Sequence, residues 1–179
     1  LLYKLRHFVS QNISIMLYYS LIYPFLIYAA PIWGNTNNTL ISILYVLQKK
    51  FVRIITFNRT IFTNEGPPPH SAPLFKELNI LTIFDVFKLE IIKFVYDSLN
   101  NKNPNQLNNY FTYSTAHYNT LSKREKKLNI PQVRTTTYGL KSIKYSGAIT
   151  WNNIPYTLRS TSTSRKNLIT KVKSIYLSE

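Results

Sequence analysis

Positions 13 to 33, ISIMLYYSLIYPFLIYAAPIW, carry no charge across 21 residues, and this run limits the possible folds more than any other stretch. It is long enough to cross a bilayer as a helix. It could equally be a helix buried in protein. Tyr18, Tyr19, Tyr23, Tyr28 and Trp33 are spread along it, whereas a membrane-spanning helix gathers such rings at its ends. Pro24 deprives the Ser20 carbonyl of its donor and predicts a kink, and Pro31 with Gly34 ends the helix. Nothing else in the chain looks membrane-bound, so the run reads as protein core.

After an Asn- and Thr-rich turn at 35–39, a second helix is expected from Leu40 to about Thr56. Leu40, Ile43, Leu44, Leu47, Phe51 and Ile54 recur at steps of three and four and define an apolar stripe. Ser42, Lys49 and Arg53 fall opposite, with Lys50 at the flank. A solvated basic face is the ordinary reading of such a pattern. Here no acid lies within reach to neutralise it, which suits the edge to phosphates.

The charge of the whole chain points the same way. It holds 22 Lys and Arg against 7 Asp and Glu, a formal charge of +15, which favours a polyanionic partner. Abundant Lys, Asn, Ile and Tyr also carry the mark of an AT-rich genome, so codon bias contributes to the excess. Residues 1–60 carry six bases and no acid, 61–109 four bases and five acids, and 110–179 twelve bases and two acids. This divides the chain into a helical segment (1–60), a helical middle (61–109) and a basic α+β part (110–179). With 45% hydrophobic residues the chain is too apolar for disorder. It has no cysteine, hence no disulfide or thiolate metal site. His7, His70 and His117 lie too far apart for a recognisable metal motif. No signal peptide is apparent, so the chain is not expected to be secreted. A start at Leu1, inside the helical pattern LLYKLRHFVS, suggests a fragment.

Further along, the PPP at 67–69 is extended. Ser71 and Pro73 suit the start of a short helix. From Thr82 a third long helix follows, so apolar (Phe84, Phe87, Ile91, Phe94, Val95) that only a strip with Asp85, Lys88 and Lys93 can face water. The runs FTYSTAHYNTL and NIPQVRTTTYGLKSIKY suggest a few short strands. A turn at Gly139 and a helical turn near Ser146 that buries Trp151 follow, and the chain closes on a basic helix over 164–177. Arg134, Lys141, Lys144 and Tyr145 form a basic and aromatic group suited to a nucleic-acid backbone. A solvated rim around a buried tryptophan fits the same residues. The fold expected is mainly α over the N-terminal two-thirds, with a small α+β C-terminal part.

Catalytic machinery is not evident. No close pair of aspartates offers a two-metal centre, and the four glycines are too scattered for a phosphate loop. Asp85 and Glu90 lie on different helix faces.

LYYSLIYPFLIYAAPIWG followed by LYVLQKKFVRIIT resembles the segment downstream of the polymerase core in non-LTR, LINE-type (jockey-like) retrotransposon reverse transcriptases. HSAPLFKELNIL, HYNT and GLKSIKYSGAITWNNIP are similar, in the same order, to that family's C-terminal region. The resemblance spans nearly the whole chain. It implies a helical thumb along the template–primer duplex and a small basic domain that holds RNA, RNA–DNA duplex or DNA. Lys49, Lys50 and Arg53 match the family's basic helix, Arg134 precedes the Thr run, and Trp33, Trp151 and Asn152 match structural positions. The resemblance places the RNA-directed DNA polymerase aspartates and their magnesium upstream, so no cofactor is expected in this chain and an upstream polymerase domain is its expected partner. A nuclear or cytoplasmic location follows, without a membrane partner. Leu121 stands where an Arg is common, and the loop at 60–69 is longer than usual; both fit a decayed or domesticated copy. The alternatives are a small basic membrane-associated protein anchored by 13–33, and an orphan protein-interaction module.

Overall fold

A computed structural model describes residues 2–56, 70–114, 126–159 and 164–178. Eleven α-helices make up most of it: α1 (Leu2–Leu5), α2 (Gln11–Leu17), α3 (Tyr23–Ile27), α4 (Ala30–Trp33), α5 (Asn38–Ile55), α6 (Ser71–Glu77), α7 (Ile83–Leu99), α8 (Asn105–Asn108), α9 (Ile143–Asn152), α10 (Tyr156–Arg159) and α11 (Arg165–Ser178). The chain groups into two compact units, one of 1–28, 37–86 and 177–179, the other of 29–36 and 87–176.

The uncharged run is not one helix. Ser10 caps α2 by accepting the Ile13 N–H. The chain then widens into a π-helical turn, Tyr18–Ile22, whose end is marked by the Tyr23 N–H donating to the Tyr18 carbonyl. This wider turn comes just before Pro24, which cannot donate to the Ser20 carbonyl. Tyr28 is extended after α3, and Ala29 adopts the left-handed conformation with φ 51°. Among the described residues no helix is long and apolar enough to cross a membrane.

Nor is the run mainly core. Ser14, Tyr18, Leu26 and Ala30 are buried, but Ile13, Met16, Leu21, Phe25, Tyr28 and Ile32 are exposed. Breaking the run into short pieces removes the single continuous face that a straight helix would bury.

The first unit is built around a buried glutamine. Gln48 is 2% exposed. Its Nε2 donates to the Tyr18 hydroxyl at 3.0 Å and to the Leu81 carbonyl at 2.8 Å, and its Oε1 accepts the Ile83 N–H at 2.8 Å. Ile41, Val52 and Ile55 share its face of α5, at the spacing of one helical stripe. Phe75 of α6, Leu78, Ile80 and Leu81 of the connection after it, and Ile83 and Val86 at the start of α7 are the buried hydrophobic residues of this unit after α5 among the described residues. α6 ends in a paired capping turn: the N–H groups of Asn79 (φ 53°) and Ile80 donate to the carbonyls of Lys76 and Phe75. α7 ends the same way, Asn101 (φ 54°) and Lys102 capping Ser98 and Asp97. Asparagine, common in this composition, supplies the left-handed residue that glycine usually provides.

In the second unit, Leu89, Ile91, Ile92 and Val95 of α7 are buried together with Ala148, Trp151, Ile154, Leu158, Leu168 and Val172. α9 comes close at Gly147, where a Cβ would stand 2.8 Å from the Phe111 ring and 3.1 Å from Val95 Cγ2. Asp97 accepts a two-pronged contact from Arg165, with Nε at 2.8 Å and Nη2 at 2.9 Å, and this holds the guanidinium's pKa above its ordinary value.

The expected strands are absent from the described residues, which show only an isolated antiparallel bridge between Tyr113 and Leu128. Residues 115–125, where one strand was expected to continue and where HYNT and Leu121 lie, are outside the described set, as is the 60–69 loop. The reason is visible in the hydrogen bonds. Leu128 directs its N–H (2.8 Å) and C=O (3.0 Å) to the Asn152 amide rather than to another backbone. Within the stretch that holds Val133, Thr135, Thr136 and Thr137, the Thr135 carbonyl takes N–H bonds from Gly139 and Leu140, closing a π-helical turn, Thr136–Leu140.

Burial pushes the Tyr18 phenol up to about 12, against a lowering by the Gln48 hydrogen bond and a small rise from Tyr19. A folded value above the unfolded value of about 10 means that the neutral phenol's contribution is complete below pH 10 and is lost as pH rises towards 12. Tyr18→Phe is therefore expected to cost about 1 kcal/mol at neutral pH and to flatten the loss of stability above pH 10. Paired urea titrations of both proteins across that interval measure the difference.

Candidate nucleic-acid interface

α5 has three faces rather than two. Ile41, Gln48, Val52 and Ile55 face inward. The stripe expected to be core includes three residues that face solvent: Leu40, Ile43 and Leu47 are 45–58% exposed, while Leu44, Phe51 and Ile54 are half-buried. The third arc is basic. Lys50 and Arg53 are exposed, and Lys49 is half-buried with its ammonium 4.2 Å from the Tyr45 ring centroid. Tyr45 itself is wedged between Phe75 at 6.0 Å and Phe84 at 5.4 Å. A packed ring thus positions Lys49 without neutralising it.

The same device recurs. Arg6 lies over Tyr3, Lys88 over Tyr176, Lys102 over Tyr96 and Lys144 over Tyr110. An aromatic face orders each of these side chains without removing its charge. Asp85, Glu90 and Asp97 are meanwhile engaged by Thr82, Lys93 and Arg165.

The expected C-terminal group is placed as follows. Arg134 is exposed, Lys141 half-buried at the end of the π-helical turn, and Lys144 exposed on the first turn of α9. Tyr145 is also half-buried, because α9 starts at Ile143, three residues before the expected Ser146. Ser142 caps it and accepts the Tyr145 N–H at 3.3 Å, drawing Tyr145 into the helix. The open ring is instead Tyr138, at 87% exposure. The sequence signal for it is a tyrosine and glycine in a polar run between Arg134 and Lys141.

Trp151 is 2% exposed, and Asn152 clamps Leu128. Trp33 meets Phe87 edge-on, with centroids 4.5 Å apart. The α5 trio belongs to the first unit and the 134–145 group to the second. Arg159 is the one buried charged side chain among the described residues. No group of three or more His, Asp or Glu side chains among them could hold a metal ion.

Comparison with known proteins adds no relative: no protein-family model, curated protein or solved structure matches the chain.

Proposed function

We propose that this chain is a non-catalytic C-terminal region, thumb and following domain, of a non-LTR retrotransposon reverse transcriptase, binding template–primer or target nucleic acid through its basic helix and loop residues. The observation that carries the reading is the arc of Lys49, Lys50 and Arg53 on a helix with no acid of its own. It is an arc of cations beside the buried face of α5, with Lys50 and Arg53 exposed and Lys49 half-buried, suited to contacts with a phosphate backbone. The resemblance supplies the parent, and the solvent-facing Leu40, Ile43 and Leu47 fit a region that packs against the rest of a polymerase. The alternative of a membrane anchor at 13–33 has no spanning helix among the described residues.

Fluorescence anisotropy with a labelled RNA–DNA hybrid tests the proposal. Affinity is expected to fall steeply between about 50 and 200 mM salt. Changing Lys49, Lys50 and Arg53 together to Gln is expected to weaken binding at least about tenfold and to lower the salt slope by roughly 2 to 3. A wild-type chain with no affinity at low salt would refute the reading.

A further inference from the structure

We infer that the second unit takes single-stranded nucleic acid, with Tyr138 as the platform on which a base stacks. The inference rests on the proposed nucleic-acid function and goes beyond it in naming the strand state and the residue. A duplex presents phosphates outward and keeps its base faces stacked, so an open ring gains little from it. A single strand offers a free base face beside each phosphate, and a site for it combines cations with an exposed aromatic.

Tyr138 meets that description. It is 87% exposed, yet it stands on a tightly tied turn. The Thr135 carbonyl accepts N–H bonds from Gly139 at 3.2 Å and Leu140 at 3.1 Å, and the Gly139 carbonyl accepts the Ser142 N–H at 3.0 Å. Gly139 is itself buried, and a Cβ there would stand 2.7 Å from Val133 Cβ, so the turn sits down on Val133 with no room for a larger residue. The ring is therefore presented from fixed backbone, which lowers the ordering cost of stacking. Arg134 and Lys141 flank it in sequence, and Lys144 follows with its ammonium 5.8 Å from the Tyr110 ring centroid. From 126 to 178 the chain carries ten bases and no acid, so no side chain in this stretch repels a phosphate. Single exposed apolar residues are common on protein surfaces; a ring held up on a tied turn within such a cationic stretch is a more specific arrangement.

The test uses the full chain with a labelled single-stranded RNA, the single-stranded DNA of the same sequence, and the blunt duplex, at one fixed salt concentration. Tyr138→Ala is expected to weaken single-strand binding about five- to a hundredfold. It should leave duplex binding and the salt slope unchanged, and Tyr138→Phe should bind as the wild type does. Equal loss on RNA and DNA supports stacking on any base, whereas loss on RNA alone supports the same platform and assigns the strand. Salt-sensitive binding that Tyr138→Ala leaves intact, or weakens equally on duplex, would overturn this inference while the proposed function stands. No binding of the wild type to any of the three would overturn both.

Discussion

Gln48→Ala is expected to destabilise the first unit by about 3–5 kcal/mol. The substitution removes three hydrogen bonds at a position 2% exposed. It strands the Ile83 N–H and Leu81 C=O, backbone groups of two buried residues at the start of α7. It also leaves a cavity between α5 and the π-helical turn that carries Tyr18. Gln48→Met separates the two effects, since it keeps most of the volume and loses the polar contacts; about 2–3 kcal/mol is expected to remain. The measurement can resolve the unit concerned. Both tryptophans, Trp33 and Trp151, belong to the second unit, so indole emission follows that unit while far-ultraviolet circular dichroism follows both. In urea the dichroism transition should move to lower denaturant for Gln48→Ala. A loss below about 1 kcal/mol would mean that the glutamine is not the centre of this core.

That glutamine also explains what the sequence hides. The stripe Leu40–Ile43–Leu47 is a true periodicity, but the helix buries the neighbouring arc centred on Gln48 and leaves this one largely outside. Hydropathy counts glutamine as a surface residue, and only the tertiary partners Tyr18, Leu81 and Ile83 reveal its role. The run at 13–33 misleads for a different reason. Absence of charge measures how oily a segment is, whereas its path is set by Pro24, by the π-helical turn before it and by the left-handed Ala29. α7 and α11 were legible because their patterns need no distant partner: α7 is apolar on almost every side, and α11 places Leu168 and Val172 four apart on its inner face. The basic residues of the candidate interface were legible from charge. The aromatic member was not, because Ser142 starts α9 early enough to draw Tyr145 into the helix, while Tyr138 stands exposed on the turn before it.

Asn152→Asp is expected to destabilise the second unit by about 2–4 kcal/mol at pH 7, with the loss shrinking as pH falls. The Asn152 amide stands in for a neighbouring strand, accepting the Leu128 N–H through Oδ1 and donating to the Leu128 C=O through Nδ2. An aspartate has nearly the same shape and keeps the acceptor. In place of the donor it sets a charged oxygen against the Leu128 carbonyl, about 3.0 Å away in the native geometry. Repulsion from that carbonyl disfavours the carboxylate and raises its folded pKa above the unfolded value. A raised folded value means that stability is present below the unfolded pKa and is lost as pH rises through the folded one. The protonated acid can donate where the amide did, so the gap between variant and wild type should narrow as pH falls towards 4 and below. Because both proteins share every other titrating group, following indole emission in urea at several pH values isolates this one. A gap that stays constant with pH would show that the donor to Leu128 is not what Asn152 contributes.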